Sequence, residues 1–204
     1  MSRAQKFDRS DVLDKALGLF WTRGYEASSI SKLLDIMGMN RGSLYCAFKD
    51  KRSLYQEVLA HYYQRLRSEL FIPTLVEISD PLESFHEFFY RGLLHDNAPI
   101  RARGCLLFNT VSELSHNDPG LTDDASGYIF ELRTLFINKL IEAKKLGLSD
   151  GSKDTETQAD FLLGILAGLR VQSQMGVSLD VIKEAIDSAL SCIFSTAHIK
   201  KQPR

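Results

Sequence analysis

A short polar stretch after residue 40 carries side chains suited to reading a nucleic acid. Its basic, hydroxyl-bearing and small residues are Arg41, Gly42, Ser43, Tyr45, Lys49 and Lys51. An arginine can form two hydrogen bonds with a guanine edge, and a serine hydroxyl can bond a base or a phosphate. Lysines neutralise phosphates. We therefore predict that Arg41, Ser43 and Tyr45 reach base edges or phosphates and that the two lysines meet phosphate. Gly42 would let the backbone approach DNA closely.

Two short helices are needed to place these side chains. Ser28 or Ser29 can cap a first helix, in which apolar residues recur at helical spacing as far as Met37. Gly38 can end that helix and Asn40 can cap a second one over residues 41–48. This arrangement is the helix-turn-helix plan, whose second helix enters the major groove. Ser29 and Ser31, at the start of the first helix, are further phosphate-binding candidates.

The segment GMNRGSLYCAFKDKRSL, residues 38–54, closely resembles a motif of the TetR/AcrR family of transcriptional regulators. The upstream residues Ala16, Leu17, Phe20 and Gly24 fit the same pattern, so the resemblance covers about residues 8–58. It implies an all-α dimer with a DNA-binding head and a ligand-sensing body, in which a bound ligand weakens operator binding. Double-stranded operator DNA, a small effector and a second copy are the implied partners.

Charge is unevenly distributed along the 204 residues, whose formal net charge is −1. Residues 1–55 hold ten Lys and Arg against six Asp and Glu, and the remainder holds fifteen against twenty. A basic first part is consistent with one nucleic-acid face. Three scattered cysteines, the absence of a signal peptide and the absence of a long apolar run lead us to expect a soluble cytoplasmic protein.

The apolar periodicity predicts an all-α protein of about nine helices. After the helix at 11–23, capped by Ser10, and the two short helices, we expect helices over 51–71, 80–95, 100–115, 118–145 with a break near Gly127, 155–175 and 179–198. We place the DNA-binding domain at residues 1–55 and the effector-binding and dimerisation domain at 56–204. The boundary falls inside the helix that starts after Asp50.

The second domain has aromatic stripes interrupted by a few polar groups. We predict that a ligand pocket draws its walls from Phe85, Phe88, Phe89, Cys105, Phe108, Asn109, Ser112, Phe130, Phe161 and Gln172. The competing interpretation for each of them is ordinary core packing. The resemblance implies that the helices between residues 80 and 175 enclose the effector pocket, but it does not identify the residues that line it.

Cys105 has two interpretations. The string RGCLLFNT, residues 103–110, resembles a subgroup of the family in which a cysteine at this point senses electrophiles or oxidants. A helix N-terminus and nearby arginines both lower a thiol pKa and raise its reactivity. The alternative is a small buried residue that packs against the neighbouring helix.

Small and apolar residues of the last two helices predict a dimer interface. We expect it to contain Gly164, Gly168, Ile182, Ile186, Ala189 and Ile193. The same apolar stripe can instead close the core of one chain. Dimerisation would let two recognition helices read successive major grooves about 34–36 Å apart.

Three functions remain to be compared. A ligand-responsive repressor is the leading one, and an architectural DNA-binding factor without an effector would have the same head. An enzyme is disfavoured because the sequence has no phosphate-binding glycine loop, no metal-ligand cluster and no nucleophile motif. We therefore predict no catalytic residue, no cofactor and no bound metal.

Overall fold

A computed structural model describes residues 8–95, 97–149 and 153–194, and these are helical almost throughout. The helices are α1 (Arg9–Arg23), α2 (Ile30–Met37), α3 (Arg41–Phe48), α4 (Lys51–Leu66), α5 (Pro81–Leu93), α6 (Ala98–Arg103), α7 (Leu106–Leu114), α8 (Pro119–Lys145), α9 (Thr155–Gln174) and α10 (Leu179–Ser191). A π-helical segment, Arg67–Val76, continues directly from α4. The predicted all-α class is confirmed, and within the described ranges the only extended pairing is an isolated bridge between Ser149 and Phe194.

Side-chain caps define most helix starts as predicted. The Asn40 carboxamide oxygen accepts the Ser43 N–H at 2.8 Å, and the Asp80 carboxylate accepts the Glu83 N–H at 2.8 Å ahead of Pro81. The first cap is different, because Asp8 rather than Ser10 caps α1. The carboxylate of Asp8 accepts the Ser10 N–H at 2.9 Å, so α1 begins two residues earlier than predicted. Residues 195–198, the predicted end of the last helix, lie outside the described residues.

The helix after Asp50 does not end at residue 71 as predicted but changes from α-helical to π-helical geometry. Its α-helical part stops at Leu66, and the π-helical segment then carries the chain past Pro73. A proline in an α-helix lacks one hydrogen bond and clashes with the carbonyl four residues earlier. The wider turn, seen where the Glu77 N–H donates to the Ile72 carbonyl at 3.1 Å, relieves that clash.

The single helix predicted over 100–115 is divided into α6 and α7. Gly104 adopts a φ of +68°, which ends α6, and α7 starts after Cys105. The break predicted near Gly127 was wrong, since α8 runs through this residue without interruption. One glycine costs a helix only about 1 kcal/mol, which a long helix tolerates.

The chain forms two compact units that do not follow a single cut in the sequence. The first, here called the head unit, contains residues up to Gln64 together with Leu106–Ser126. The second, the body unit, contains Arg65–Cys105 and the chain from Gly127 onward. The head unit therefore includes α7 and the start of α8, whereas the division into 1–55 and 56–204 stays a prediction.

A buried polar contact joins the two parts of the head unit. The hydroxyls of Tyr55 on α4 and Thr110 on α7 lie 2.7 Å apart, and Thr110 also donates to the Leu106 carbonyl at 2.7 Å. Because the single hydroxyl proton of Thr110 goes to that carbonyl, Tyr55 is the donor of the pair. Burial is the main cause that raises the pKa of Tyr55, so this phenol stays protonated. Phe20 packs edge-on against its ring with centroids 4.7 Å apart.

The core of the body unit is aromatic. Phe85, Phe88 and Phe89 of α5 are fully buried around Phe136 of α8. The rings of Phe85 and Phe88 lie 5.3 and 5.1 Å from that of Phe136, in edge-on arrangements. The three phenylalanines predicted as pocket walls thus pack against one another and against α8, as core residues do.

The buried hydroxyl pair supplies a first test. Thr110→Val leaves the Tyr55 hydroxyl buried without an acceptor, and we expect it to lower the free energy of unfolding by about 1–3 kcal/mol. Adding Tyr55→Phe should restore part of that loss, because no polar group is then left unpaired. Urea unfolding of both single variants and the double variant measures the coupling. Additive losses would show that the two hydroxyls do not interact.

Candidate nucleic-acid interface

The turn between α2 and α3 is built from local hydrogen bonds. Gly38 is left-handed, with φ +67° and ψ 32°, and ends α2. The next residue, Met39, donates its N–H to the Leu34 carbonyl at 3.0 Å. Asn40 then caps α3. This is the predicted helix-turn-helix, and its second helix is held by Leu44 and Phe48, which are both buried.

The outer face of α3 presents the predicted DNA-binding side chains to solvent. Arg41, Gly42 and Tyr45 are exposed, and Ser43 is half-buried. A Cβ atom placed on Gly42 would meet only the Asn40 side chain, at 3.4 Å, so packing does not require a glycine there. Cys46 shares this exposed helix. The structure thus brings the recognition-helix candidates together on one short, open helix.

The two predicted phosphate-binding lysines have different surroundings. Lys49 is exposed and holds a φ of +67°, which is unusual for a residue other than glycine. Its N–H ends α3 by donating to the Tyr45 carbonyl at 3.1 Å. The Lys51 ammonium lies 4.2 Å from the ring centroid of Tyr25 and is half-buried, and desolvation lowers its pKa. Lys49 is therefore the freer of the two to meet a phosphate.

The two serines of α2 also differ in their roles. Ser29 caps the helix by accepting the Lys32 N–H at 3.3 Å, whereas Ser31 is exposed in the first turn. The first amide groups of a helix favour an anion. Both serines therefore lie where a phosphate can bind.

Arg9 anchors the far end of the recognition helix. Its guanidinium forms two hydrogen bonds with the Glu57 carboxylate, at 2.9 and 2.6 Å, and a third with the Ala47 carbonyl at 3.2 Å. It also lies 4.4 Å from the ring centroid of Phe48. One side chain of α1 thus joins α3 to α4, a role that the sequence pattern did not reveal.

Two acidic residues beyond the helix-turn-helix complete the head unit. The carboxylate of Asp118 accepts two hydrogen bonds from the Arg52 guanidinium, at 2.8 and 3.1 Å, and this pairing lowers the pKa of Asp118. Glu113 accepts the N–H groups of Tyr25 and Glu26. Sequence inspection missed both residues, since their partners lie 66 to 88 positions away and no local motif links them.

The predicted pocket residues do not form one internal set. Cys105 is buried, and both Phe108 and Asn109 are half-buried. Four of the predicted residues are exposed, and their place in a ligand pocket stays a prediction: Ser112, Phe130, Phe161 and Gln172. Phe130 and Phe161 have 63% and 41% of their surface exposed. They lie on outward faces of α8 and α9 that the periodicity alone did not distinguish from inward ones.

The predicted dimer residues also separate into two groups. Four of them are buried within a single chain, which favours the alternative that they close its core: Ile182, Ile186, Ala189 and Ile193. Gly164 and Gly168 are exposed, and an added Cβ atom at either would have no neighbour within 4 Å. They belong to an exposed stripe, called here the stripe of α9, which is formed by Phe161, Gly164, Gly168 and Val171 of α9 and by Met175 at its C-cap. The stripe alternates steps of three and four residues, which is the spacing of helix-packing seams.

The described residues were compared with two further kinds of site, a metal site and a membrane-spanning helix. These residues contain no group of three or more His, Cys, Asp or Glu side chains that could hold a metal ion. Among them, no helix is both long enough and apolar enough to cross a membrane.

Comparison with known proteins identifies relatives of the whole chain. Residues 12–58 match the family described as bacterial regulatory proteins, tetR family. The HTH-type transcriptional repressor BdcR of Escherichia coli (strain K12) is 35% identical over 87% of this chain and 85% of its own. The repressor ComR of the same strain is 26% identical over 92% of this chain and 90% of its own.

Solved structures share the fold over the same length. A cysteine mutant of the TetR family transcriptional regulator CifR, complexed with 26-bp double-strand operator DNA, superposes with a TM-score of 0.84. It is 26% identical, and the match covers 94% of this chain and all of that one. The reduced form of NemR from E. coli gives a TM-score of 0.79 at 18% identity over 91% of this chain and 96% of that one, which is a likeness of fold.

Gly18 within α1 and Gly24 at its end provide a matched test of the turn that Glu113 contacts. Gly24 has φ +80° and ψ 174°, and an added Cβ atom would lie 2.7 Å from a Glu113 carboxylate oxygen. We expect Gly24→Ala to destabilise the protein by about 1–3 kcal/mol, because this conformation is nearly restricted to glycine. Gly18→Ala, in the middle of α1 with open space around it, should instead stabilise it by about 0.5–1 kcal/mol. Urea midpoints that moved in the same direction would contradict this account of the turn.

Proposed function

Because this chain belongs to the tetR family of bacterial regulatory proteins, we propose that it is a repressor that binds an operator as a dimer and is released by a small effector. Its family makes it a DNA-binding transcriptional regulator and not an enzyme. The observation that carries the proposal is the open outer face of α3, which lies within a helix-turn-helix. Acting on chromosomal operators, the protein would work in the cytoplasm.

Base reading falls to the N-terminal half of α3. In helix-turn-helix proteins, these residues meet the base edges while the preceding helix crosses the backbone. Arg41 is exposed in the first turn and can form a two-point contact with a guanine. Ser43 and Tyr45 follow it, and Gly42 leaves room for the groove wall. We assign phosphate contacts to Lys49, Lys51, Ser29 and Ser31.

The dimer surface that we propose is the exposed stripe of α9. Its glycines permit a close approach of two helices, and its apolar side chains supply the area to be buried. Val171 and Met175 expose 54% and 75% of their surface, which is costly for large apolar groups unless a partner covers them. An obligate dimer would bury on the order of 2,000 Å² or more. The second copy would place two α3 helices for a near-palindromic site.

Effector release is assigned to reversible binding in the body unit. Cys105 is 7% exposed, and a reactive cysteine needs an accessible thiolate, so its burial favours the packing interpretation. Electrophile sensing by this thiol stays a prediction of the sequence. An architectural factor without an effector remains the alternative function, and a repressor that no small molecule releases would favour it.

Two substitutions on the head unit distinguish base reading from phosphate binding. Arg41→Ala should weaken binding to the operator by about 1–3 kcal/mol and relax specificity at one base pair. Lys49→Ala should weaken operator and random DNA alike, and lower the slope of binding against salt by about one unit. Mobility shifts at several salt concentrations measure both effects. Unchanged operator affinity in Arg41→Ala would contradict the assignment of α3 as the recognition helix.

A charge in the α9 stripe tests the dimer. Gly168→Glu should give particles of one chain, 23.0 kDa, instead of two, because a buried carboxylate without a partner is costly. Gly127→Glu is the matched control, since Gly127 is also helical, exposed and surrounded by open space. Sedimentation at micromolar concentration measures the masses. A Gly168→Glu variant that remained as dimeric as the control would show that α9 is not the interface.

A further inference from the structure

We propose that Glu113 is a positioning residue for DNA binding: its carboxylate fixes the turn after α1, and through that turn the placement of α2 and α3. The inference deepens the proposed function and rests on it. Glu113 lies on α7, outside the residues 12–58 that match the family's DNA-binding segment.

The carboxylate holds two consecutive backbone groups. One oxygen accepts the Tyr25 N–H at 3.0 Å, and the other accepts the Glu26 N–H at 2.9 Å. Both oxygens are thus engaged with a single turn of the chain. Hydrogen bonds from backbone amides to an ionised acceptor are stronger than neutral ones. This fork fixes the position of the turn as well as its conformation.

The chain between this turn and α2 has little freedom to move. Ser28 is fully buried and donates its hydroxyl to the Gly24 carbonyl at 2.6 Å. Its N–H donates to the Tyr25 carbonyl at 3.2 Å. The next residue, Ser29, already caps α2. A displacement of the turn at residues 24–26 would therefore be passed to the start of α2.

The other end of the helix-turn-helix approaches the same acidic group. Lys51 begins α4 directly after α3, and its ammonium lies over the ring of Tyr25. The charges of Glu26 and Glu113 both act to raise the pKa of Lys51, against the larger effect of desolvation. The segment that precedes α2 and the segment that follows α3 thus meet at Tyr25, whose N–H the Glu113 carboxylate holds.

Helix α7 and the residues that follow it are bonded to α4, which gives this carboxylate a fixed position. Thr110, three residues before Glu113, is bonded to Tyr55 of α4, and Asp118, five residues after it, is bonded to Arg52. Gln56 of α4 further donates to the Asp124 carboxylate at 2.7 Å. Since α4 follows α3 directly, these contacts tie α7 to the recognition helix through α4. Glu113 adds a second connection, through the turn after α1.

If Glu113 is removed, a positioning role and a purely electrostatic role predict changes of opposite sign in DNA affinity. Removing an acidic charge near a DNA-binding face should strengthen binding to all DNA, because less negative charge opposes the phosphates. Loss of a positioning contact should instead weaken binding to the cognate sequence. Glu113→Gln keeps the size and can still accept one N–H, but it turns an amide donor toward the other.

The test uses the full-length protein and a duplex that the wild type selects from a random library, compared with a shuffled duplex of equal composition. We expect Glu113→Ala and Glu113→Gln to bind the selected duplex at least tenfold more weakly, with less than a twofold change on the shuffled one. Amide hydrogen exchange at Tyr25 and Glu26 should become faster. Asp123→Asn, an exposed acid on the same segment, is the control for charge and should bind as the wild type or slightly better.

The possible results separate a failure of the proposed function from a failure of the Glu113 proposal. If the wild type selects no duplex, the proposed function is wrong. If it selects one and Glu113→Gln binds it as the wild type does, or gains affinity as Asp123→Asn does, Glu113 does not position the helices. An equal loss on both duplexes would make its role one of general stability. If Glu113→Ala does not fold, the Glu113→Gln comparison decides.

Discussion

Two backbone N–H groups after α1 are satisfied by a carboxylate 88 and 87 residues further along the chain. This contact explains why the head unit is assembled from separate parts of the sequence. Helices α1 to α3 form the helix-turn-helix region, and α7 with the start of α8 supplies polar partners for the turn after α1 and for α4. Most of these links are hydrogen bonds with charged groups, which fix direction as well as distance.

The recognition helix α3 depends on these surroundings for its stability. It has only eight residues, and isolated helices of that length are not stable in water. Its stability must come from the Asn40 cap, from Leu44 and Phe48 beneath it, and from Arg9 at its end. With its inner face so engaged, the helix can leave Arg41, Gly42 and Tyr45 uncovered. The strained φ of Lys49 fits this account, since such conformations persist only where the surrounding structure imposes them.

Local sequence signals were enough to predict much of this fold. The caps at Ser29 and Asn40, the helix start after Asp50 and the stop at Gly38 depend on residues within four positions of one another, and the structure has them as predicted. Long-range features could not be read in this way. No local signal connects Glu113 to Tyr25, or separates the outward Phe161 from the inward Leu162 on a helix that is apolar on several faces. The break at Gly104 and the continuity at Gly127 show the same limit, because a glycine ends a helix only where the chain needs a positive φ.

The most direct test of the central claim is a footprint of the purified protein on a long duplex that carries the sequence it selects from a random library. The account predicts protection of two symmetric half-sites, with centres about one helical turn, or 34–36 Å, apart. That pattern requires two α3 helices presented by a two-fold dimer. Protection of one asymmetric site, or of no site where random DNA binds equally well, would contradict the account.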